Sequence, residues 1–423
     1  MPNLPVSPQQ IQALDAADSL SAFRSRFRIP LHEGREIAYF CGNSLGLQPK
    51  ATSDFIEQEL DDWAQLGVEG HTEARRPWVK YHEFLTDDLA TLTGSKSSEV
   101  VAMNALTVNL HLLMASFYRP TNTRYRIVCE AKAFPSDQYA LQSQVEWHHL
   151  LPADALVEVH PRPGAHHIET EDLLQAIREQ GDALALVMIG GVNYYSGQVF
   201  DMEVLTRAAH EVGALAGFDL AHAIGNIELK LHDWEVDFAA WCSYKYLNSG
   251  PGSTAGIFIH ERHASNPQTF RLKGWWGHNK AERFKMGPVF EAIPTAESWQ
   301  MSNAPVLSMA AQMASLQLFR EAGMPRLLEK SKALTALADT LLRHLQHEGP
   351  LAGSFEIITP AARGCQLSLL FHRKGRAVFD HLFRNGVVAD WREPDVIRLA
   401  PVPLYNSFAD VYRLAEILSQ FEL

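Results

Sequence analysis

The sequence predicts an α/β protein: a large domain on a mostly parallel sheet covered by helices, with a small α+β domain after it. Three observations carry the prediction. The chain has 423 residues, too long for one simple core. Through its middle, apolar runs of strand length alternate with amphipathic helical stretches, as in a parallel sheet buried on both faces. After about residue 305 the alternation gives way to two long helical stretches and then short strand-like pieces.

The elements follow in order. Residues 1–38 form a helical segment expected to pack on the small domain, and residues 39–305 make the large domain. Its buried strands are expected at VVAMNAL (100–106), RYRIVCE (124–130), ALALVMIGG (183–191), ALAGFDL (214–220), FAAWCSY (238–244) and AGIFIH (255–260). Between them IETEDLLQAIREQG and DMEVLTRAAHEVG have helical periodicity, and Gly213 stops the second. The small domain, 306–423, opens on PVLSMAAQMASLQLFREAG and a second helix ending near HLQHEG. Strand-like pieces follow at SFEIIT, CQLSLLF, GVVADWR and DVIRLAP, and Ser407 with Asp410 fits a capping box for the last helix.

Composition narrows the function classes. Apolar residues make 46% and charged residues 20%, ordinary for a globular protein. A net charge of −12 argues against a general nucleic-acid binder. The four cysteines, Cys41, Cys129, Cys242 and Cys365, form no C-x-x-C pair, so neither a zinc knuckle nor a disulfide framework is indicated. The start lacks the basic and apolar regions of a secretory signal, and no apolar run is long enough to span a membrane. A reducing cytoplasm is the expected compartment.

The chemistry centres on CSYKYLNSGPG, where Lys245 follows an apolar strand and precedes a glycine-rich turn. One reading is a lysine whose stem packs on the core while its ammonium reaches solvent. The other is a Schiff-base lysine, since a desolvated amine is more often neutral and attacks aldehydes. Upstream, GFDLAHAIGN puts Asp219 at the end of another apolar strand, where a carboxylate is costly without a cation or strong donor. Ligands of parallel sheets bind at the strands' carboxyl ends. Opposite charges at one such edge describe a pyridoxal phosphate site, the acid on the pyridine nitrogen and the amine on the aldehyde carbon. An ion pair linking two strands is the structural alternative. NSGPGSTAG meets neither nucleotide fingerprint, and its glycines more simply allow a tight turn. The 19 histidines include HERH (260–263), one residue short of a zinc motif, and the adjacent pairs His148–His149 and His166–His167. None forms a ligand set of recognised spacing, so no metal is expected.

At this level of detail the sequence resembles the kynureninase family. YFCGNSLGLQPK, RRPW, NALTVNLHLL, EAKAFPSDQYA, GFDLAHAIGN, SYKYLNSGPG, GWWGH, RFKM, MSNAP and IRLAPVPLYNSF stand in family-like order over nearly the whole chain. The resemblance implies the pyridoxal-phosphate fold type I, with a seven-stranded-type sheet, and a homodimer with shared active sites. It implies that Lys245 binds the cofactor's aldehyde, with Asp219 and His222 at the pyridine ring. Phe134 would stack on the ring and Asp137 line the same pocket. Leu106 and Thr107 would offer an amide and a hydroxyl to the phosphate, which Tyr244 would also reach. Trp275 and Asn303 would come from the neighbouring subunit. Arg398 would clamp the substrate α-carboxylate, and Ser44 and His71 would line the substrate side. Singly, Phe134 and Leu106 also suit plain core, Tyr244 a strand aromatic, His71 a loop histidine and Arg398 a surface ion pair.

The implied reaction is hydrolytic cleavage of the β,γ carbon–carbon bond of L-kynurenine or its 3-hydroxy form, giving anthranilate or 3-hydroxyanthranilate plus L-alanine. Tyr244 is the candidate acid for the β carbon. A hydrogen-bonding pair, His71 and Asn303, at the aromatic end of the pocket favours 3-hydroxykynurenine. The rival on this fold is a cysteine desulfurase or aminotransferase-like enzyme; a desulfurase needs a reactive cysteine on a mobile loop, and none stands in an evident one.

Overall fold

The computed structural model describes residues 4–421. Its large sheet has seven strands: β1 Val100–Ala102, β2 Arg126–Glu130, β3 Leu156–Val159, β4 Leu184–Gly190, β5 Leu215–Asp219, β6 Phe238–Trp241 and β7 Gly256–Ile259. In space they run β1-β7-β6-β5-β4-β2-β3. Pairing is parallel except around β7, which is antiparallel to both β6 and β1. The sheet is mostly parallel because helices carry the chain back between strands. Helix α2, Leu106–Phe117, follows β1, and α3, Pro135–Trp147, follows β2. Likewise α4, Thr170–Gln180, follows β3, and α5, Met202–Glu211, follows β4.

Both faces of the sheet are covered, and side chains alternate between them. Ala239 and Trp241 enter one apolar cluster while Phe238 and Ala240 enter the other. Full burial of a side chain of this kind contributes roughly 1.5–3 kcal/mol. Large residues sit opposite small ones in the register. Phe238 pairs with Gly217, and a Cβ at 217 would collide with its ring.

After the long helix α6, Val306–Ala322, helix α7, Met324–His347, leads into a second, antiparallel sheet. Its strands are β8 Phe355–Ile357, β9 Leu367–Phe371, β10 Asp390–Arg392 and β11 Val396–Leu399, in the order β8-β9-β11-β10. Between β9 and β10 lies helix α8, Gly375–Arg384, and the last helix is α9, Phe408–Ser419. The Ser407–Asp410 capping box is present. The N-terminal helix α1, Pro8–Ala17, puts Ile11 into this second core. Its Asp15 carboxylate accepts hydrogen bonds from Phe408 N at 2.7 Å and Ala409 N at 3.1 Å, the first amides of α9, where a negative charge also suits the helix dipole.

Several expectations are corrected. The run at 100–106 is strand only to Ala102, and Leu106 opens a helix. The run at 238–244 leaves the sheet after Trp241. GVVADWR splits: Val387–Val388 pairs with Ala38–Tyr39, while β10 pairs with β11. Strand β3 was not expected, because it is a four-residue edge that is only partly buried and so lacks a continuous apolar run. His148 and His149 lie at the end of α3 rather than on a strand. Among the described residues, no helix is long and apolar enough to cross a membrane.

Candidate active site

The carboxyl ends of β2, β4, β5 and β6 open onto one cavity of about 200 Å³. Eight of the residues singled out from the sequence line it: Leu106, Thr107, Phe134, Asp137, Asp219, His222, Tyr244 and Lys245. Lys245 stands four residues past the end of β6 and is 9% exposed. The turn after it is held from behind by α6: Gln312 Nε2 donates to Ser243 Oγ at 2.9 Å, and Ser315 Oγ bonds Leu247 O. In front, Gly46 N donates to Tyr244 O at 2.8 Å, and a Cβ at Gly46 would strike Lys245 O. Gly250 and Gly252 take positive φ, +95° and +64°, as a turn this tight requires.

Asp219 closes β5 and is buried. Its Oδ1 accepts from Ala221 N at 2.7 Å. Burial pushes its carboxyl up, partly offset by that amide, by Asp137 and by the Lys245 charge. Asp137, in the first turn of α3, is pushed up further, by burial and then by the charge and hydrogen bond of Asp219 and the nearby Glu130. Two acids this close and this buried oppose each other's ionisation. Burial and the neighbouring Lys245, Arg398 and Arg392 charges hold His222 well below the usual imidazole range, so its ring is neutral. Its buried Nδ1 finds no partner within the protein. The Phe134 ring, 38% exposed, has its centroid 5.6 Å from Lys245 Nζ.

Helix α2 begins at Leu106 with no side-chain cap, and its N-cap is Ala105. Ala105, Leu106 and Thr107 line the cavity, so the uncapped start of α2 borders it and can serve as an anion cradle. Pyridoxal phosphate asks for an amine at its aldehyde, an acid at its ring nitrogen, a flat apolar face and an anion cradle. The residues present fit each demand, and the orphaned Nδ1 of His222 offers one further polar contact.

Five other residues lie outside the cavity wall. Arg398, on β11, is wholly buried rather than a surface ion pair. Its Nη1 donates to Tyr194 O at 2.5 Å and its Nε to Asp390 Oδ1 at 3.3 Å. Its Nη2 sits 2.9 Å from Asp390 Oδ2 but makes no aligned hydrogen bond. Ser44 is half-buried in the segment that runs from Ala38–Tyr39 to Gly46. The His71 Nδ1 lies 2.9 Å from Val68 O, and its ring stands edge-on to Trp78. Trp275 is 47% exposed, with Nε1 donating to Arg283 O at 3.1 Å, and Asn303 is exposed.

Of the lining residues not singled out from the sequence, two carry ionisable groups. Tyr194 follows β4, and its ring meets Phe134 edge-on at 5.1 Å. Glu130 ends β2 wholly buried. A charge closing an apolar strand, the signal used for Asp219, also marks Glu130. Burial pushes its carboxyl up to about 7 despite hydrogen bonds from Asn193 and Gly190. HERH also proved structural: His263 Nε2 lies 2.7 Å from Asp237 Oδ1, and His260 lies near Glu99 and His232. The Glu99 oxygens already accept from Lys96 N, Glu261 N and His232 Nδ1.

Fold and site together define a pyridoxal-phosphate-dependent enzyme of fold type I. Solved structures agree on the fold. An apo cysteine desulfurase from Thermococcus onnurineus superposes with a TM-score of 0.75 at 15% identity, covering 99% of this chain and 98% of that one. The cystine C–S lyase C-DES, in complex with cysteine persulfide, gives 0.76 at 16%, covering 92% and 98%. Among family models, aminotransferase class-V matches residues 38–350 and the kynureninase C-terminal domain matches 327–418. Curated kynureninases are far closer in sequence. That of Flavobacterium psychrophilum is 54% identical over 412 residues, 97% of this chain and 96% of its own. That of Myxococcus xanthus is 51% identical over 409 residues, 96% and 95%. The chain belongs to the kynureninase family, pyridoxal-phosphate-dependent hydrolases that act on carbon–carbon bonds.

Proposed function

We propose that this protein hydrolyses the β,γ carbon–carbon bond of L-kynurenine and 3-hydroxy-L-kynurenine, the latter preferred, releasing anthranilate or 3-hydroxyanthranilate and L-alanine. The observation that carries this is the meeting of Lys245 and Asp219 in one cavity with the open end of α2, in a chain about half identical to kynureninases along its length. When bound, pyridoxal phosphate supplies a ring that accepts electrons from the substrate's α carbon. Lys245 would hold the cofactor's aldehyde carbon, and its amine, when free, would carry the substrate's α proton. Asp219 would face the ring nitrogen, with Asp137 beside it in the same cavity. Leu106, Thr107 and Tyr244 take the phosphate, Phe134 covers the ring, and His222 offers its free Nδ1.

Arg398 binds the α-carboxylate, supported by the unaligned N–H groups of its buried Nη2. Water adds to the γ carbonyl, the bond breaks toward the β carbon, and Tyr244 delivers the proton there. Burial raises the Tyr244 hydroxyl, so it is protonated at neutral pH. Tyr244→Phe should cut product release, and an undiminished rate would remove Tyr244 from this role.

Ser44 and His71 line the substrate side in this reading, His71 with Asn303 at its aromatic end, and Trp275 and Asn303 are given by a second copy of the chain. The exposure of Trp275, Phe284 (57%), Met286 (68%) and Val289 (70%) within one segment supports a homodimer. Hybrids of Lys245→Ala and Asn303→Ala chains should regain activity through one intact site; no recovery would place Asn303 in its own subunit's site. The four buried, free cysteines suit a cytoplasmic enzyme. None of them lines the cavity, which disfavours a desulfurase. Substrate preference is tested by kcat/KM. Wild type should favour 3-hydroxykynurenine by about tenfold or more, and Asn303→Thr should narrow the ratio. Equal values in the wild type would overturn the preference.

A further inference from the structure

Glu130 is a buried carboxyl without a cation. It closes β2, and its oxygens take only two hydrogen bonds, from Asn193 Nδ2 at 2.7 Å and Gly190 N at 3.2 Å. The ionisable groups that interact with it are all acids: Asp219, Asp137, Tyr194 and Cys129. An isolated buried carboxyl costs stability, so its use must be sought in what it holds.

What it holds is Asn193. The other end of that amide, Oδ1, accepts from Tyr195 N at 3.0 Å, Ser196 N at 2.8 Å and Ser196 Oγ at 3.1 Å. Asn193 therefore folds the chain after β4 into a turn stapled by its own side chain. The turn's carbonyls face the small-domain sheet. Tyr194 O accepts from Arg398 Nη1 at 2.5 Å and from Gln366 Nε2 at 3.1 Å. Tyr195 O accepts from Ser368 Oγ at 2.6 Å. Gln366 Oε1 in turn accepts from Asn43 Nδ2 at 3.0 Å, next to Ser44.

We propose that Glu130 is a positioning residue for the substrate carboxylate: with Asn193 it sets the turn whose Tyr194 carbonyl aims the Arg398 guanidinium. One side of that guanidinium is held by Asp390 and the other by Tyr194 O. The end of β2 thereby fixes the distance between the cofactor cavity and the clamp. Glu130 makes no contact with substrate in this role and moves no proton. The inference rests on the reading of Arg398 as the carboxylate clamp, and the experiment separates the two.

The test uses the full-length holoenzyme, the single variants Arg398→Ala, Glu130→Ala, Asn193→Ala and Glu130→Gln, and the double variant of Glu130→Ala with Asn193→Ala. Arg398→Ala should raise KM by about 100-fold. Glu130→Ala and Asn193→Ala should each raise KM by about tenfold, with a smaller fall in kcat and an unchanged cofactor absorbance spectrum. Their double variant should be no worse than the poorer single, because both act through one strut. Glu130→Gln keeps an acceptor for Asn193 and should restore KM to within about threefold of wild type. Calorimetry gives a second readout: Glu130→Ala should weaken binding of L-alanine, which carries the α-carboxylate, and spare 3-hydroxyanthranilate, which lacks it. A role in folding alone would lower the melting temperature and leave the KM of the folded enzyme unchanged. If Arg398→Ala raises KM while both Glu130→Ala and Asn193→Ala leave it unmoved, the strut is refuted. If Arg398→Ala leaves KM unmoved, the clamp itself falls. Should Glu130→Ala not fold, Asn193→Ala carries the same comparison.

Discussion

Asp219 and Asp237 are buried aspartates at opposite ends of the same sheet, and their surroundings differ in kind. Asp237 precedes β6 at the amino end. Its oxygens lie 2.6 Å from Arg262 Nη2, 2.7 Å from His263 Nε2 and 2.8 Å from His210 Nε2, and Ala216 N donates to it at 2.7 Å. Burial alone pushes this carboxyl up; the hydrogen bonds of His210 and His263 and the Arg262 charge overcome that and hold it well below the usual range. Asp219, at the carboxyl end, has one amide, the acid Asp137 and the charge of Lys245 nearby, with no hydrogen bond from a cation. One carboxylate is saturated by its own chain and so anchors the fold. The other has fewer partners, which suits the proposed place of Asp219 at the cofactor's ring nitrogen. A buried acid's partner list, more than its burial, separates a structural role from a reserved one.

The largest expected effect tests the reserved end. Lys245→Ala should lower kcat by about 10⁴-fold, about 5 kcal/mol, and abolish borohydride fixation of the cofactor. Fixation on another residue would displace Lys245 from its role. Next comes the anchor. Asp237→Ala strands Arg262 in a pocket built for an anion and should cost about 3–5 kcal/mol in denaturant unfolding of the apoprotein. The matching Asp219→Asn should leave the apoprotein at least as stable, because it removes a charge burial opposes. Equal losses would erase the contrast.

Acid linkage should then take opposite signs at the two ends. Glu130 has a folded pKa raised from 4.5 to about 7, so the folded state binds the extra proton between those values. Apoprotein stability should therefore fall as pH rises through that window, by about 3 kcal/mol from this group, and Glu130→Gln should flatten the slope. Asp237 has a depressed folded pKa. Its contribution is present above the ordinary aspartate range and is lost only as pH falls through the folded value. The smallest effect is His263→Phe, which removes one of several Asp237 partners and should cost about 1–2 kcal/mol. A loss as large as that of Asp237→Ala would mean the partners act as a single unit.

Much of this was legible along the chain. Lys245 and Asp219 stood out because each follows an apolar strand, and burial makes such a charge expensive wherever the strand lies. Glu130 obeys the same rule and was passed over, since its partner Asn193 lies beyond a whole β-α-β unit. HERH looked like a near-miss zinc motif, yet His260 and His263 serve buried carboxylates brought from other segments. The strand β3 was hidden by partial exposure, and GVVADWR concealed a switch of sheet, because periodicity reports burial and not the identity of the neighbouring strand.

Local pattern by itself determined the alternation of the well-buried strands with helices, the two-sided burial of the sheet and the placing of charged residues at strand ends. These follow from backbone period and the cost of wetting apolar groups, which neighbouring residues settle among themselves. Only the tertiary structure decided which acids meet cations, which imidazole is left with a free nitrogen and which turn holds Arg398. Those outcomes depend on donors from distant segments, and hydrogen bonds and ion pairs act only over the few ångströms that folding creates.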